Sequence, residues 1–317
     1  MRIFYLLVLL FISVFPGKLL AQETGSGLDF LNVGPSAGLL AINEAGTAAL
    51  IGTSSIYTNP AMLAFEPQSS AEVNYTSWIS EVNNQYGAVN LKSGKYAIAA
   101  GVYSSNADDF EARDVPGPSQ GTFSIRYLSI AGSLARKFGP VSAGVTGQFI
   151  REEVFQFTAN GFAFNMGLAA SFFDKRIRTG VSIVNLGEIG ELDVESTTLP
   201  VNLRVGLHGD IANWSSPLGN DLSILLSLDF DYIQPLEDNP ASDFANASGD
   251  SPFFNTALTA RIADLVELKG GYKFGPTERP ASFGTSFLIT PLRINYALVP
   301  FTTGFDTVHS IGIQYYF

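Results

Sequence analysis

The chain contains no cysteine. That excludes a disulfide framework, a thiolate metal site and a lipid-carrying cysteine in a protein whose amino terminus reads as an export signal. Histidine is nearly missing as well, since only His208 and His309 occur; they lie far apart and form no metal-spacing pair. Neither a Gly-rich phosphate loop nor a serine-nucleophile motif is present. The expectation is therefore a protein that is not an enzyme, with no catalytic residue, cofactor or metal to assign. Charge is sparse at 15% of residues, against ~25% in an average globular chain. What charge there is leans acidic, net −11, which makes nucleic acid and anionic surfaces poor partners.

Long apolar runs are also lacking. The run from Ile3 to Phe15 is too short to cross a hydrocarbon core, which needs roughly 20 residues, and matches the apolar part of a secretory signal followed by a cut after Ala21. Beyond Gln22 no run approaches a spanning helix, yet mean hydropathy is +0.20 and 46% of residues are hydrophobic. An exported, apolar chain without spanning helices, alternating at period two, reads as all-β: a transmembrane antiparallel β-barrel. The organisation expected is a signal peptide over 1–21, an N-terminal plug segment over 22–68 and an outer-membrane barrel over 69–317.

About fourteen strands are expected, near 71–80, 84–92, 95–104, 121–136, 141–150, 161–173, 176–185, 200–211, 221–232, 253–262, 265–274, 281–289, 292–299 and 306–317, an even number as single-chain bacterial barrels have. In the last, Ile311, Ile313, Tyr315 and Phe317 share one face, with Ser310, Gly312 and Gln314 opposite. Val201, Leu203, Val205 and Leu207 are likewise placed outward, and His208 inward. Short connections at 93, 139, 174, 263 and 290 alternate with longer polar ones at 105–120, 151–160, 186–199 and 233–252. That alternation places both barrel termini on the periplasmic side of a Gram-negative outer membrane and argues against a soluble β-sandwich.

Residues 28–65 break the pattern. They are rich in Gly, Ala and Ser and too small-sided to form a core of their own, which suits a plug in the barrel lumen. In "YTNPAMLA", Asn59 is a helix N-cap and Pro60 a first helical residue, with Asn59, Pro60 and Ala61 read as the hinge between plug and barrel. The order of "FLNVG" (Phe30, Leu31 and Gly34 among its residues), an Ala/Gly-rich stretch, "TNPA" and then strands resembles the PorV/PorQ family of outer-membrane barrels within the FadL-like superfamily. "RTGVSIVNLG", ending in Asn185–Gly187, resembles that family's mid-barrel hairpin. Gly38 and Asn43 depart from the family pattern.

That resemblance implies a docking or shuttle partner in type IX secretion that binds cargo C-terminal signal domains or translocon subunits. Candidate contact loops carry Asp108, Asp109, Glu111 and Asp114, and Glu237, Asp238 and Asp243. The alternative is a FadL-like channel taking up a hydrophobic ligand. Either way outer-membrane lipid is a partner. Asp229, Asp231, Arg261, Glu267, Lys269, Lys273 and Arg293 are placed facing the lumen across five successive strands, where mutual neutralisation and plug contacts are favoured over a selective pore. In "FSIRYLSIAGSL" the apolar residues change face between Tyr127 and Leu128, which predicts a bulge, a wall opening near Tyr127 being the rarer outcome.

Overall fold

A computed structural model describes residues 28–112, 121–192, 195–196, 198–215, 223–236, 251–302 and 304–317. The segment 1–21 expected to be a signal peptide, Asp114, Glu237, Asp238 and Asp243 lie outside the described residues, as do the side chains of Asp109 and Glu111.

The strands are β1 (Ser70–Ser77), β2 (Asn83–Ser93), β3 (Tyr96–Ala112), β4 (Gly121–Phe138), β5 (Val141–Val154), β6 (Phe157–Phe172), β7 (Ile177–Ile189), β8 (Glu191–Leu192), β9 (Glu195–Ser196), β10 (Asn202–Ser215), β11 (Ser223–Pro235), β12 (Phe253–Ile262), β13 (Val266–Phe274), β14 (Ala281–Ile289), β15 (Leu292–Val299) and β16 (Val308–Tyr316). Fourteen of them close into one antiparallel barrel, and β8 with β9 forms a separate ribbon. The seam is made by β1 and β16, in register from Ser70 opposite Tyr316 to Ser77 opposite His309. Closure gives every strand two neighbours, which a hydrocarbon environment demands because it offers no water to an unpaired edge.

Alternation decides the faces. On β16, Ser310 is 1% and Gln314 3% exposed, while Ile311 is 52% and Ile313 44% exposed. The same holds around the wall, where Val73, Ile98, Leu134, Phe164, Leu168, Leu207, Leu258, Leu268 and Phe287 are exposed. Large apolar side chains outside and polar ones inside invert the soluble arrangement and suit lipid.

Four expectations need correction. Residues 105–112 belong to β3, so Asp108, Asp109 and Glu111 sit on a strand, and 151–160 is a tight β5–β6 hairpin paired to Val154 opposite Phe157. The strands at the non-terminal end outrun the apolar band, and there polar residues occupy both faces and hide the alternation. The wall does not bulge at Tyr127: it faces Ser105 on one side and Glu152 on the other in unbroken register. The register shift of that pair lies on β3 between Ala107 and Phe110. The change of apolar face has another cause, since Tyr127 turns inward and stacks on Phe30 of the plug at 5.1 Å. Finally, Val201 precedes β10 and is 8% exposed, because 198–201 folds inward where β7 and β10 cease to pair, beyond Val184 opposite Asn202.

Residues 28–66 occupy the lumen as short helical turns: Asp29–Asn32, Ala37–Leu40, Gly52–Ser54, Ser55–Thr58 and Pro60–Ala64. The wall makes room with inward-facing glycines. A Cβ on Gly206 would lie 2.7 Å from Thr47 Cβ, one on Gly271 2.6 Å from Asn43 Cβ, and one on Gly180 2.7 Å from Asn59 Nδ2. Outward-facing Gly132 would meet nothing within 4 Å. Gly206→Val should therefore displace the plug or block folding, while Gly132→Val should leave both unchanged; heat-modifiable mobility on a gel and single-channel conductance check this.

Candidate functional site: the plugged lumen

A non-repetitive segment inside a barrel has peptide groups with no sheet partner, and each buried one left unpaired costs about 1–3 kcal/mol. The inward side chains of the wall supply the partners. Ser142 Oγ donates to Ala61 O at 2.9 Å, Thr146 Oγ1 and Asn165 Nδ2 to Ile56 O at 3.1 and 2.9 Å, and Ser182 Oγ to Thr58 O at 2.6 Å. Arg178 Nε donates to Ala48 O at 3.2 Å and Ser282 Oγ to Ala41 O at 3.3 Å, and Lys92 Nζ donates to Ala64 O. In the other direction Ala37 N donates to Asn74 Oδ1 at 3.0 Å. Plug and wall are thus cross-stitched on most sides.

Asn59 lies in the middle of this stitching. Its Oδ1 accepts from Ala61 N at 3.1 Å, capping the turn that Pro60 opens, while Nδ2 donates to Thr47 O at 2.9 Å and Leu168 O at 3.2 Å. One side chain therefore closes a helical turn, ties two parts of the plug together and anchors both to β6. It is fully buried, and Ala61 is buried beside it.

Two ion pairs fasten the plug from the other half of the wall. Asp231 Oδ2 accepts from Thr47 N at 3.0 Å, Thr47 Oγ1 at 2.6 Å and Arg204 Nη2 at 3.0 Å, and Arg204 Nη2 also donates to Glu44 O at 2.6 Å. Glu44 accepts from Arg279 Nη1 at 2.9 Å and from Gly34 N at 2.9 Å. Burial pushes the Glu44 carboxyl up, but the Arg279 guanidinium, Lys273 and the Gly34 N–H outweigh it and hold it below the ordinary carboxylate value. Burial likewise pushes Glu66 up, and there the Gly52 N–H and more distant arginines offset it only in part.

The remaining lumenal charges neutralise each other locally. Glu267, 1% exposed, meets Arg261 at 2.8 Å, Lys269 at 3.1 Å, and Arg293. Ser286 of β14 joins this group by accepting from Lys269 at 3.0 Å. Lys273 Nζ lies 4.1 Å from the Phe253 ring centroid. Asp229 is 2.6 Å from His208 Nδ1, whose other ring nitrogen faces Asp210 at 3.3 Å. His309 is exposed on the outer face, 2.6 Å from the Tyr296 hydroxyl. Glu44, Glu66, Glu72, Arg178 and Arg279 escaped the sequence reading. The first two sit in the irregular segment, whereas Arg204, opposite Val205, reads as lumen-facing from the alternation and is found there.

Toward the non-terminal end the plug and wall meet through aromatic groups. Phe30 lies 5.6 Å from Tyr103 and stacks on Tyr127, and Tyr57 contacts Tyr86 and Tyr103 edge-on. Beside them a small pocket is lined by Leu31, Leu39, Tyr57, Tyr103 and Val184, with Asn185, Asn202, Arg204 and Glu44 as its polar groups. The pocket reaches the place where β7 leaves β10. There Asn185 takes a left-handed φ of 61°, the register of β6 and β7 shifts between Phe164 and Met166, and Asn185 Nδ2 donates to Pro200 O at 3.1 Å. Among the described residues no cluster of metal-ligating side chains occurs.

A scan against family models gives no match, and none of the curated proteins matches the sequence. Solved structures do resemble it in fold. The toluene transporter TbuX of Ralstonia pickettii superposes with a TM-score of 0.58 at 12% identity, over 89% of this chain and 98% of that one. The Pseudomonas putida toluene transporter TodX gives 0.61 at 10% identity, over 89% and 97%. The monoaromatic hydrocarbon channel CymD gives 0.60 at 12% identity, over 92% and 99%. The fourteen-strand barrel is thus a shared architecture.

Two outcomes test the latch. Asn59→Ala with Pro60→Ala removes the donor to Thr47 O, at about 1–3 kcal/mol for a buried group left unpaired, together with the tie to Leu168 O on β6, and should raise open-channel conductance with the barrel still closed. The pH response follows from Glu44. A carboxyl held below its ordinary value of 4.5 contributes stability above that value and loses it as pH falls through the folded one. Conductance should rise as pH drops below about 4.5, and Glu44→Gln should abolish that step. Glu66, raised instead, weakens the fold as pH climbs past 4.5, so Glu66→Gln should leave the acid step in place.

Proposed function

We propose that the protein is an outer-membrane barrel, with no enzymatic role, that passes small hydrophobic molecules from its outer mouth into the wall or lumen. The observation that carries this is the pocket of Leu31, Leu39, Tyr57, Tyr103 and Val184 between plug and wall. Its charged neighbours are already committed, Glu44 to Arg279 and Arg204 to Asp231, so an uncharged apolar guest loses least on entering. The fold it shares with the two toluene transporters and the monoaromatic channel supports the same reading. The exit favoured is the parting of β7 and β10 beyond Val184 and Asn202, and not a wall opening near Tyr127.

A second reading, docking in type IX secretion, rests on the PorV/PorQ resemblance of "FLNVG" and "TNPA". The dense stitching of the plug favours it, since a corked barrel suits a platform better than a conduit. Of its proposed contacts, Asp108 lies 3.9 Å from Arg126 on the outer rim.

Uptake separates the two. Labelled toluene should enter cells carrying the wild-type protein faster than cells lacking it, and Val184→Trp, which fills the pocket, should return uptake to the background rate. If uptake is unaffected by the protein and crosslinking from native outer membrane recovers a large translocon barrel or secreted cargo, the docking reading replaces the channel.

A further inference from the structure

At the non-terminal rim, outward-facing guanidinium groups have carboxylates: Arg151 has Glu153 at 2.6 Å and Arg126 has Asp108 at 3.9 Å. The terminal end of the wall differs. Arg136, two residues before β4 ends, is exposed on the outer face, paired across the ladder with Tyr96. Its guanidinium carbon lies 5.0 Å from the Tyr96 ring centroid and 4.7 Å from that of Phe138. The two rings hold the group by cation–π attraction, and among the described residues no carboxylate lies within ion-pair reach of it and no acceptor takes its N–H groups. Arginine does not deprotonate in proteins, so five donors and a full charge face the surroundings.

Those surroundings are the boundary between lipid and water. Tyr96, Phe138, Phe172 and Phe173 are exposed there, as the aromatic girdle of a membrane barrel requires. The charge nearby is mainly positive. The turns joining β2–β3 and β6–β7 carry Lys95, Lys175 and Arg176, with Asp174 as the acidic residue among them, while Lys92 and Lys137 at the ends of β2 and β4 turn inward to Ala64 O and the Phe65 ring. The net charge of −11 conceals this basic arc, because the acidic residues concentrate elsewhere.

We propose that Arg136, clamped between Tyr96 and Phe138, is a binding site for the phosphate group of an anionic phospholipid in the leaflet at the terminal end, with Lys95 and its neighbours adding attraction. A planar guanidinium with unused donors matches phosphate bidentately, the rings orient it along the wall, and the acyl chains lie against exposed Leu134 and Leu168. The proposal rests on the reading of the chain as a membrane barrel, and not on what passes through it.

Native mass spectrometry of the detergent-purified protein, titrated with phosphatidylglycerol or phosphatidylcholine, tests it. The wild type should retain phosphatidylglycerol preferentially. Arg136→Gln should lower that preference by about fivefold, the factor that one basic group near an anionic surface contributes, and Arg136→Lys should lower it less. Arg126→Gln, at the other rim, should leave it unchanged. Heat-modifiable mobility confirms that each variant is folded. Equal retention of both lipids by the wild type, an undiminished preference in Arg136→Gln, or the same loss in Arg126→Gln overturns the site; so does retention of inorganic phosphate in place of lipid. Failure to bind either lipid would overturn the membrane-barrel reading itself.

Discussion

The need to pair the peptide groups of an irregular segment, in a space closed off by a barrel, governs most of what is inside this molecule. Strands satisfy their own backbones, and the wall needs nothing further once β1 meets β16. Residues 28–66 have no such arrangement. Their short turns leave carbonyls at Ala41, Ile56, Thr58 and Ala61 that accept instead from Ser282, Thr146, Ser182 and Ser142. Small hydroxyl side chains and glycines on the inner face follow from that need, since the donor must be short and the backbone must come close. The Gly, Ala and Ser content of the plug has the same origin seen from the other side.

Charge obeys a related constraint. An ion pair buried away from water gains little unless its remaining donors and acceptors are also used, whereas removing one partner is costly, at about 3–5 kcal/mol. Asp231 meets this condition with three hydrogen bonds, two from Thr47 and one from Arg204, whose Nε in turn donates to Thr47 Oγ1. Glu267 meets it by drawing Arg261, Lys269 and Arg293 together. The two groups do different work. Glu267 joins strands to one another, while Asp231 and Glu44 join wall to plug, so loss of the latter pair would loosen the plug with the ladder intact.

Much of the barrel was legible because period-two alternation reports directly which face meets lipid: β12, β14 and β15 fall where the pattern places them, at Phe253–Ile262, Ala281–Ile289 and Leu292–Val299. The reading failed where that physics stops applying. Past the lipid band, β3 and β5 run on with polar residues on both faces and looked like loops. Around Tyr127 the inner face turns apolar to meet Phe30, so a change of partner imitated a change of register. The ring of wall glycines had a signal in the sequence, as Gly144, Gly167, Gly180, Gly206, Gly271 and Gly284 all fall on inward positions. Its meaning needed the plug backbone to be in place.

The distribution of contacts along the plug limits how anything could move past it. From Ala37 to Ala64 it is held by side chains from most of the wall, each contributing about 1 kcal/mol net and leaving a costly orphan if broken. Withdrawing the whole segment would therefore cost as much as a typical domain's entire stability of 5–15 kcal/mol. The stretch before Ala37 is held differently. Wall contacts there include Asn202 Nδ2 to Asn32 Oδ1 at 3.0 Å and the Tyr103 hydroxyl to Val33 O at 3.4 Å, and otherwise Phe30 is held by apolar contact with the Tyr103 and Tyr127 rings, whose loss leaves no buried polar group unpaired. This loosely tied end borders the pocket and the parting of β7 from β10. Passage by local displacement of residues 29–35 thus costs a small part of what uncorking would, and it leaves the Asn59 and Asp231 anchors untouched.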